Sequence, residues 1–366
     1  LIYIFNHSFL VSLLPPFSYK TNKYKNMAAS IREDPFVEPR GEYDLLLPFR
    51  YPGIIKFWTE QKQVYWVAED ITKIDTDLVY WNNFSEGERE FFKKLIYFFA
   101  VADDIVSENI RKNFLSQIVS KDYKLYFTKQ DEIEQIHEIV YNEIAKVFLL
   151  PEDIRKIKHE FRAIQSKIEW AQKYIKDSVS FSFTDTLLGA IMIEGIFFSA
   201  SFEAIRALDN AGVMKALGAA NKAISKDEDI HLRAAIHMYL NLPPEMQRPE
   251  EFVREMIQDA VNVEIEFITE AFGDCSMIKY LTLPKLCEHV KGIANKIAEY
   301  LHFSSEVYPG VMDPFNYTSA TLFKNFFETD VPSYSNKVSN PELHSKDDKT
   351  GICFFKKDFF LKKNYY

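Results

Sequence analysis

The chain has 366 residues, 47% of them hydrophobic and 27% charged, so it is long enough for one large domain and too apolar to be disordered throughout. Its formal net charge of −9 argues against a dedicated nucleic-acid binder, because phosphate contacts need a basic face. Only 11 glycines occur, whereas 15% of the residues are aromatic, which favours long helices with bulky cores over a β-sandwich.

The cysteines and the first residues of the chain indicate in which cellular compartment the protein is expected. Cys275, Cys287 and Cys353 show no Cys-x-x-Cys spacing and leave one thiol unpaired in any pairing, which indicates a reducing, cytoplasmic environment. No uninterrupted apolar run of about 18 residues predicts a transmembrane helix, and residues 1–14 lack the basic leader of a signal peptide. We expect residues 1–50 to be a partly disordered N-terminal extension.

Proline placement leaves the middle of the chain free to form long helices. A capping box at residues 85–88 predicts a helix that reaches the region of Asn113. Apolar periodicity predicts the following helices at 122–150, from 151 to about 174, and at 184–210, 214–240, 250–272 and 284–303. The sequence therefore predicts an all-α domain over 51–317, with a flexible tail at 318–366.

Three Glu-x-x-His pairs stand out: Glu134/His137, Glu228/His231 and Glu299/His302. Residues three apart on a helix differ by about 60° and 4.5 Å, so both side chains can reach one metal ion. About one such pair is expected by chance. The distance in sequence to other acidic residues must therefore distinguish a metal-binding pair from an accidental one.

The first two pairs each follow a solitary carboxylate on an apolar helix face. Asp103 precedes the first pair by 31 positions and Glu194 precedes the second by 34. This pattern reads as one unit used twice, a carboxylate helix followed by a Glu-x-x-His helix. The third pair has no such partner, and we expect it not to bind metal.

Glu194 is the most informative residue, because every neighbour from Leu187 to Phe198 is apolar or glycine. An ionised carboxylate there would lose several kcal/mol of hydration without compensation. For one isolated acid, a protonated or backbone-bonded form would be the simpler explanation. Four carboxylates and two imidazoles at repeated spacing instead favour two divalent ions, and the lack of thiolate favours iron or manganese over structural zinc. This ligand set is typical of a ferritin-like four-helix bundle, here elaborated with extra helices.

An aromatic residue shares the metal-binding stripe. Tyr141 lies four positions after His137 and seven after Glu134, within about 40° of both on a helix. The residues predicted to surround it are spaced by four or eight from Glu194 and Glu228: Phe198, Phe202 and Ile224. Core packing explains each of them taken singly. Beside two metal ions, a one-electron role for the phenol is the better interpretation.

At these residues the sequence resembles the small subunit of class I ribonucleotide reductase, in its eukaryotic and large-virus branch. The resemblance spans about residues 51–334 and is carried by residues 102–109, 134–141, 194–202, 224–231 and 325–328. It implies one iron bound by Asp103, Glu134 and His137, and a second bound by Glu194, Glu228 and His231. It further implies that O2 oxidises Tyr141 to a stable radical, which Phe198, Phe202 and Ile224 shield.

The resemblance also implies a path for the radical to the large subunit, which reduces ribonucleoside diphosphates. Trp66 matches the tryptophan on the surface side, Asp227 the acid that links it to His137, and Tyr334 the relay in the tail. Asp227 is expected independently to orient a metal-bound imidazole, since it adjoins Glu228, although a solvated surface acid is the alternative. The implied assembly is a homodimer that binds neither nucleic acid nor membrane.

Two departures from the family pattern concern the large subunit and the metal surroundings. Lys226 stands where the family usually has arginine, which removes a planar bidentate donor. The chain ends at residues 362–366 in a Lys-Lys-Asn-Tyr-Tyr sequence instead of the family's acidic and aromatic docking peptide. Alternatives left open are manganese in place of iron, a ferritin-like oxygenase or desaturase, and an iron-storage or scaffold protein.

Overall fold

The structure is a computed structural model, and it describes residue 36 and residues 45–176, 182–275, 277–279 and 281–315, without the side chains of 103–105 and 175–176. Within these ranges the only β-pairing is an isolated bridge between Ile278 and Leu281. The helices are α1 (Pro52–Gln63), α2 (Leu78–Trp81), α3 (Glu86–Asn109), α4 (Leu115–Gln117), α5 (Lys121–Phe148), α6 (Pro151–Glu160), α7 (Arg162–Lys176), α8 (Phe183–Met192), α9 (Ser199–Asn210), α10 (Lys215–Leu240), α11 (Glu250–Phe272) and α12 (Leu283–Tyr300).

Helix α3 begins at the predicted capping box. Ser85 Oγ accepts a hydrogen bond from the Glu88 backbone N–H at 3.3 Å, and Glu88 Oε2 accepts one from the Ser85 backbone N–H at 2.8 Å. These bonds satisfy two backbone donors that the helix itself leaves unpaired. The helix runs into a π-helical turn, Ile110–Phe114, near the predicted end.

The single helix predicted to start at Pro151 and extend to about residue 174 is wrong, because the chain breaks at Phe161 into α6 and α7. Phe161 is extended, with φ −85° and ψ 94°. The backbone N–H groups of Arg162 and Ala163 donate to the carboxylate of Glu270 at 3.0 and 2.6 Å, so this acid on α11 caps α7. A cap supplied from over a hundred residues away leaves no signal in local periodicity.

The apolar stretch predicted at 184–210 is helical but not uniformly α-helical. It consists of α8, a π-helical turn at Ile193–Phe197 and α9. This stretch, Phe183–Asn210, is long and apolar enough to cross a membrane by length and composition, and its most apolar window of 18 residues has a mean hydropathy of 1.6. Because 89% of its most apolar window is buried inside the protein, core packing accounts for that composition.

The helices that carry the predicted metal ligands pack against one another. Helix α3 lies along α5, α8 packs on α10, and α5 also contacts α10. Helices α1, α7, α11 and α12 surround this group. The all-α prediction is therefore confirmed for the part of the chain that the structure describes. The bounds at 50 and 317 stay predictions.

Candidate metal centre

The predicted ligands on three helical elements converge. Glu134 and His137 lie on α5, Glu194 on the π-helical turn, and Glu228 with His231 on α10. One ligand atom each from Glu134, Glu194, Glu228 and His231 lie within 4.8 Å of one another. All these side chains are buried, and Glu194 is the most exposed at 6%.

One predicted ligand, Asp103, and the third Glu-x-x-His pair, which was predicted not to bind metal, are not part of the cluster that the structure describes. Asp103 lies on α3, and its side chain falls outside the described residues. Glu299 and His302 lie at the end of α12 and beyond it, and neither belongs to the cluster found among the described residues.

Glu134 and Glu228 each present one oxygen to each imidazole. Glu134 Oε2 lies 3.3 Å from His137 Nδ1 and its Oε1 lies 3.0 Å from His231 Nδ1. Glu228 Oε1 lies 3.0 Å from His137 Nδ1 and its Oε2 lies 3.2 Å from His231 Nδ1. The two glutamates therefore stand between the histidines, each with one oxygen close to each imidazole.

Opposite charges within the cluster shift one another's pKa values in the protein without metal. Burial disfavours charge on His231, but Glu134 and Glu228 raise its pKa to about 9. Burial likewise opposes charge on His137, while hydrogen bonds with Asp227, Glu134 and Glu228 raise its pKa well above the usual value. Burial would raise the pKa of Glu228, yet hydrogen bonds with Glu194, His137 and His231 lower it well below the ordinary value. Protons on the imidazoles thus take the place that cations would fill.

The donor set fits a pair of divalent metal ions. Three buried atoms of these ligands make no well-aligned hydrogen bond: His137 Nδ1, Glu134 Oε2 and His231 Nε2. The first two face each other at 3.3 Å. A metal ion would satisfy inward-facing lone pairs that hydrogen bonds leave incomplete. Oxygen and imidazole ligands without thiolate suit iron or manganese.

A hydrogen-bonded path leads from the cluster toward the protein surface. Asp227 Oδ2 lies 3.0 Å from His137 Nε2 and accepts a hydrogen bond from Trp66 Nε1 at 2.8 Å. A neutral His137 that donates from Nε2 keeps the Nδ1 lone pair for a metal. The indole and imidazole rings are nearly parallel, with centroids 5.9 Å apart and planes at 19°. Asp227 is only 1% exposed, so it is not a solvated surface acid.

Tyr141 lies in an aromatic cluster beside the metal-binding residues. Its ring stacks on Phe99 with centroids 4.6 Å apart and planes at 3°. Phe99 also contacts Phe198 at 5.9 Å and Phe202 at 5.2 Å. Tyr141, Phe99 and Phe198 are buried, Ile224 is fully buried, and Phe202 is half-buried. The structure thus places Phe198 and Phe202 against Phe99, which stacks on Tyr141 and which the sequence reasoning missed.

Two further polar residues on α5 were also missed. Gln130 Nε2 donates to Glu134 Oε1 at 3.2 Å and to Glu194 Oε1 at 3.3 Å, which ties α5 to the π-helical turn. Tyr126 is fully buried, and its pKa is raised well above the ordinary value by burial and then by Glu194 and Glu134. Gln130 lies four positions before Glu134, so helical spacing could have indicated it.

A small cavity adjoins the cluster. Its volume is about 20 Å³, and Glu194, His231 and Gln130 contribute to its lining together with apolar side chains of α3, α8 and α10. A cavity of this size holds a molecule no larger than water or a diatomic gas.

Comparison with known proteins gives the same family at the level of sequence. Residues 45–312 match the family model for the small chain of ribonucleotide reductase. A ribonucleoside-diphosphate reductase small chain from Arabidopsis thaliana is 30% identical over 314 residues, 83% of this protein and 92% of its own length. The small chain from Vaccinia virus strain Ankara is 30% identical over 318 residues, 82% of this protein and 94% of its own length.

Solved structures resemble this one in fold. The ribonucleotide reductase R2 subunit from Clostridium botulinum has a TM-score of 0.64 at 22% identity, covering 75% of this protein and 89% of that subunit. The dimanganese(II)-NrdF of Streptococcus sanguinis has a TM-score of 0.63 at 13% identity, covering 75% and 95%. Their fold confirms the predicted ferritin-like helical architecture. The chain therefore belongs to the small-chain family of ribonucleotide reductase.

Proposed function

We propose that this chain generates a tyrosyl radical on Tyr141 at a pair of iron ions and passes it to a large subunit that reduces ribonucleoside diphosphates. The observation that carries the proposal is a buried phenol within an aromatic cluster, on the same helix as two residues of the carboxylate and histidine centre. The family membership supports the large subunit as the partner.

The metal-binding residues have separable tasks. Asp103, Glu134 and His137 would hold one ion, and Glu194, Glu228 and His231 would hold the other. Glu134 and Glu228 each lie close to both imidazoles, which brings the two sets of ligands together. A pair of ferrous ions held here would supply two of the four electrons that reduce O2 to water, Tyr141 would supply one together with its phenolic proton, and a one-electron reductant would supply the fourth. Phe99 would keep water and reductants from the ring face of Tyr141 on which it stacks, and Phe198 and Phe202 pack against Phe99 behind it.

Trp66 and Asp227 are proposed to connect this centre with the large subunit. The indole stacks on His137 and shares the Asp227 carboxylate with it, so the contact is continuous from a ligand to a residue near the surface. Tyr334 is proposed as the next relay, and it lies outside the described residues.

The cavity volume supports O2 over an organic molecule as the partner of the metals. A substrate of an oxygenase or desaturase would need a pocket several times larger than about 20 Å³ beside the ligands. The cavity next to Glu194 and His231 therefore favours a centre whose product is a radical on the protein.

The proposal also covers assembly and location. We propose a homodimer in the cytoplasm that binds neither nucleic acid nor membrane, with iron as the metal and manganese as the alternative. The free thiols of Cys275 and Cys287 support a reducing compartment, while Cys353 lies outside the described residues.

Anaerobic loading with ferrous iron followed by O2 tests the proposed function. We expect two iron ions per chain and a tyrosyl signal in electron paramagnetic resonance, because the described ligands converge and the phenol lies on the same helix as two of them. Two bound ions without a radical would instead indicate an oxygenase, and failure to bind iron stoichiometrically would leave only a scaffold.

Metal binding should release protons and strengthen with rising pH. In the metal-free protein His137 and His231 have raised pKa values, about 9 for His231, so both hold protons at pH 7, whereas a metal ion needs the neutral imidazole. The affinity for Mn²⁺ should rise about tenfold per pH unit for each proton released between pH 6 and 9. Conversely, the stability that these imidazolium groups give the metal-free protein is complete below their unfolded pKa near 6.5 and is lost toward pH 9.

Titration with Mn²⁺ at several pH values, monitored by calorimetry in buffers of different ionisation enthalpy, measures both effects. An affinity that stays constant from pH 6 to 9 would contradict the protonated state assigned to the metal-free site.

A further inference from the structure

A buried ion pair lies outside the metal centre and has no part in the function described above. Lys167 on α7 is 1% exposed and Glu264 on α11 is fully buried, with Nζ 2.6 Å from Oε2. Burial lowers the pKa of Lys167 to about 8 and raises that of Glu264 to about 7, so both groups bear a large desolvation penalty. An apolar pair of similar volume is often at least as stable as a buried ion pair, so stability alone is a weak reason for this one.

Lys167 also reaches the helix that carries Glu194. Its Nζ donates to the backbone carbonyl of Phe197 at 2.6 Å. Phe197 is the last residue of the π-helical turn, and Ser199 Oγ donates to the preceding carbonyl, that of Ile196, at 2.7 Å. Two consecutive carbonyls thus accept side-chain hydrogen bonds where the chain returns from π- to α-helical geometry. Irregular turns of this kind persist when their surroundings hold them in place.

The same ammonium group touches the aromatic residues that lead to Tyr141. Lys167 Nζ lies 3.6 Å from the ring centroid of Phe98 and 3.9 Å from that of Phe267. Phe98 in turn contacts Phe198, which follows the π-helical turn, at 5.6 Å. A single cation therefore contacts both the backbone next to a metal ligand and the aromatic layer over the phenol.

We propose that Lys167, held by Glu264, is a positioning residue that fixes the π-helical turn Ile193–Phe197 and thereby sets Glu194 at the metals and Phe198 against the cluster around Tyr141. The metal part of this inference needs only a metal-binding centre, whereas the effect on the radical rests on the proposed function.

The main test uses Lys167→Met combined with Glu264→Leu, because the double variant leaves no unpaired buried charge and so avoids the misfolding expected of Lys167→Met alone. Free Mn²⁺ measured by electron paramagnetic resonance during titration gives metal affinity without any oxygen chemistry. We expect at least one site to bind about tenfold or more weakly than in the parent protein, the range seen when groups that orient ligands are removed. The tyrosyl radical, once formed, should also decay several-fold faster.

Two single variants separate positioning from general stability. Glu264→Gln replaces the ion pair by a neutral pair, because Lys167, whose pKa burial already lowers to about 8, would lose its proton beside an uncharged amide. The neutral amine can still donate to the Phe197 carbonyl, so this variant should retain most of the Mn²⁺ affinity. Lys94→Met removes a similar bond, from Lys94 Nζ to the Glu270 carbonyl at 2.9 Å, away from the π-helical turn, and should leave metal binding unchanged.

A double variant that folds with the parent's Mn²⁺ affinity and radical lifetime would overturn the proposal, and so would equal losses in the double variant and in Lys94→Met. If the parent binds Mn²⁺ but never forms a radical, the proposed function fails, while the Mn²⁺ comparison still decides the role of Lys167 in metal binding.

Discussion

Tyr141→Phe should bind two iron ions per chain yet give no tyrosyl radical after exposure to O2. The substitution removes only the phenolic oxygen, and the stacking of the ring on Phe99 is retained, so the metal ligands on the same helix keep their positions. The free energy of unfolding should change by about 1 kcal/mol or less, because one buried hydroxyl is lost. Electron paramagnetic resonance and iron analysis of the same sample make the comparison.

Tyr126→Phe is the matched control for that experiment. Tyr126 lies on the same helix, is fully buried and is close enough to Glu134 and Glu194 for their charges to affect its pKa. Its ring contacts the adjacent Phe127, whereas Tyr141 belongs to the aromatic cluster next to α9. The radical should therefore persist in Tyr126→Phe. A radical that survives in Tyr141→Phe and disappears in Tyr126→Phe would show that the assignment is wrong.

Trp66→Phe should keep the iron centre and the radical but lose ribonucleotide reduction with the large subunit to background. The indole donates to Asp227, whose bond with His137 remains when the indole is gone, so metal binding should be spared. The proposed transfer step would be interrupted, because phenylalanine lacks the indole N–H and is much harder to oxidise. Turnover assayed with the large subunit, together with radical content before and after mixing, measures the effect.

Trp58→Phe and Asp227→Asn are the comparison variants for Trp66→Phe. Trp58 is a half-buried tryptophan on α1 that contacts Lys62 instead of His137, so its substitution should leave turnover unchanged. Asp227→Asn should weaken metal binding about 10- to 100-fold, because it alters the partner that orients His137. Undiminished turnover in Trp66→Phe would refute the transfer role.

The convergence of the metal-binding residues was predictable because helical spacing is a local property. Glu134/His137 and Glu228/His231 each lie three positions apart, so the two side chains of each pair share one helix face. A buried ionised acid such as Glu194 needs a cation nearby to offset the hydration that it loses. The helix over 250–272 was also predicted with the observed bounds, since a proline and a glycine flank it. The roles of Asp103 and Tyr334 stay predictions, because the described residues include neither side chain.

The features that sequence reasoning missed depend on contacts between distant segments. The break at Phe161 follows from the cap that Glu270 supplies by accepting a hydrogen bond from the backbone N–H of Ala163. The role of Lys167 depends on its contacts with Glu264 and with a carbonyl of the π-helical turn. Neither contact alters the apolar periodicity of its own helix. The π-helical turns were missed for a related reason. One added residue displaces the apolar pattern of the sequence by a single position, and it leaves the composition of the stretch unchanged.

Because of the π-helical turn at Ile193–Phe197, the number of residues in this stretch matters as much as the identity of their side chains. Removing one residue between Glu194 and Phe198 would let the segment relax into a regular α-helix, in which backbone hydrogen bonds join residues four apart in place of the π-helical pattern. The Phe197 carbonyl that accepts the hydrogen bond of Lys167 would then move, and Glu194 and Phe198 would lose the spacing that the π-helical turn gives them. This stretch should consequently tolerate exchanges of one apolar side chain for another far better than a single-codon deletion.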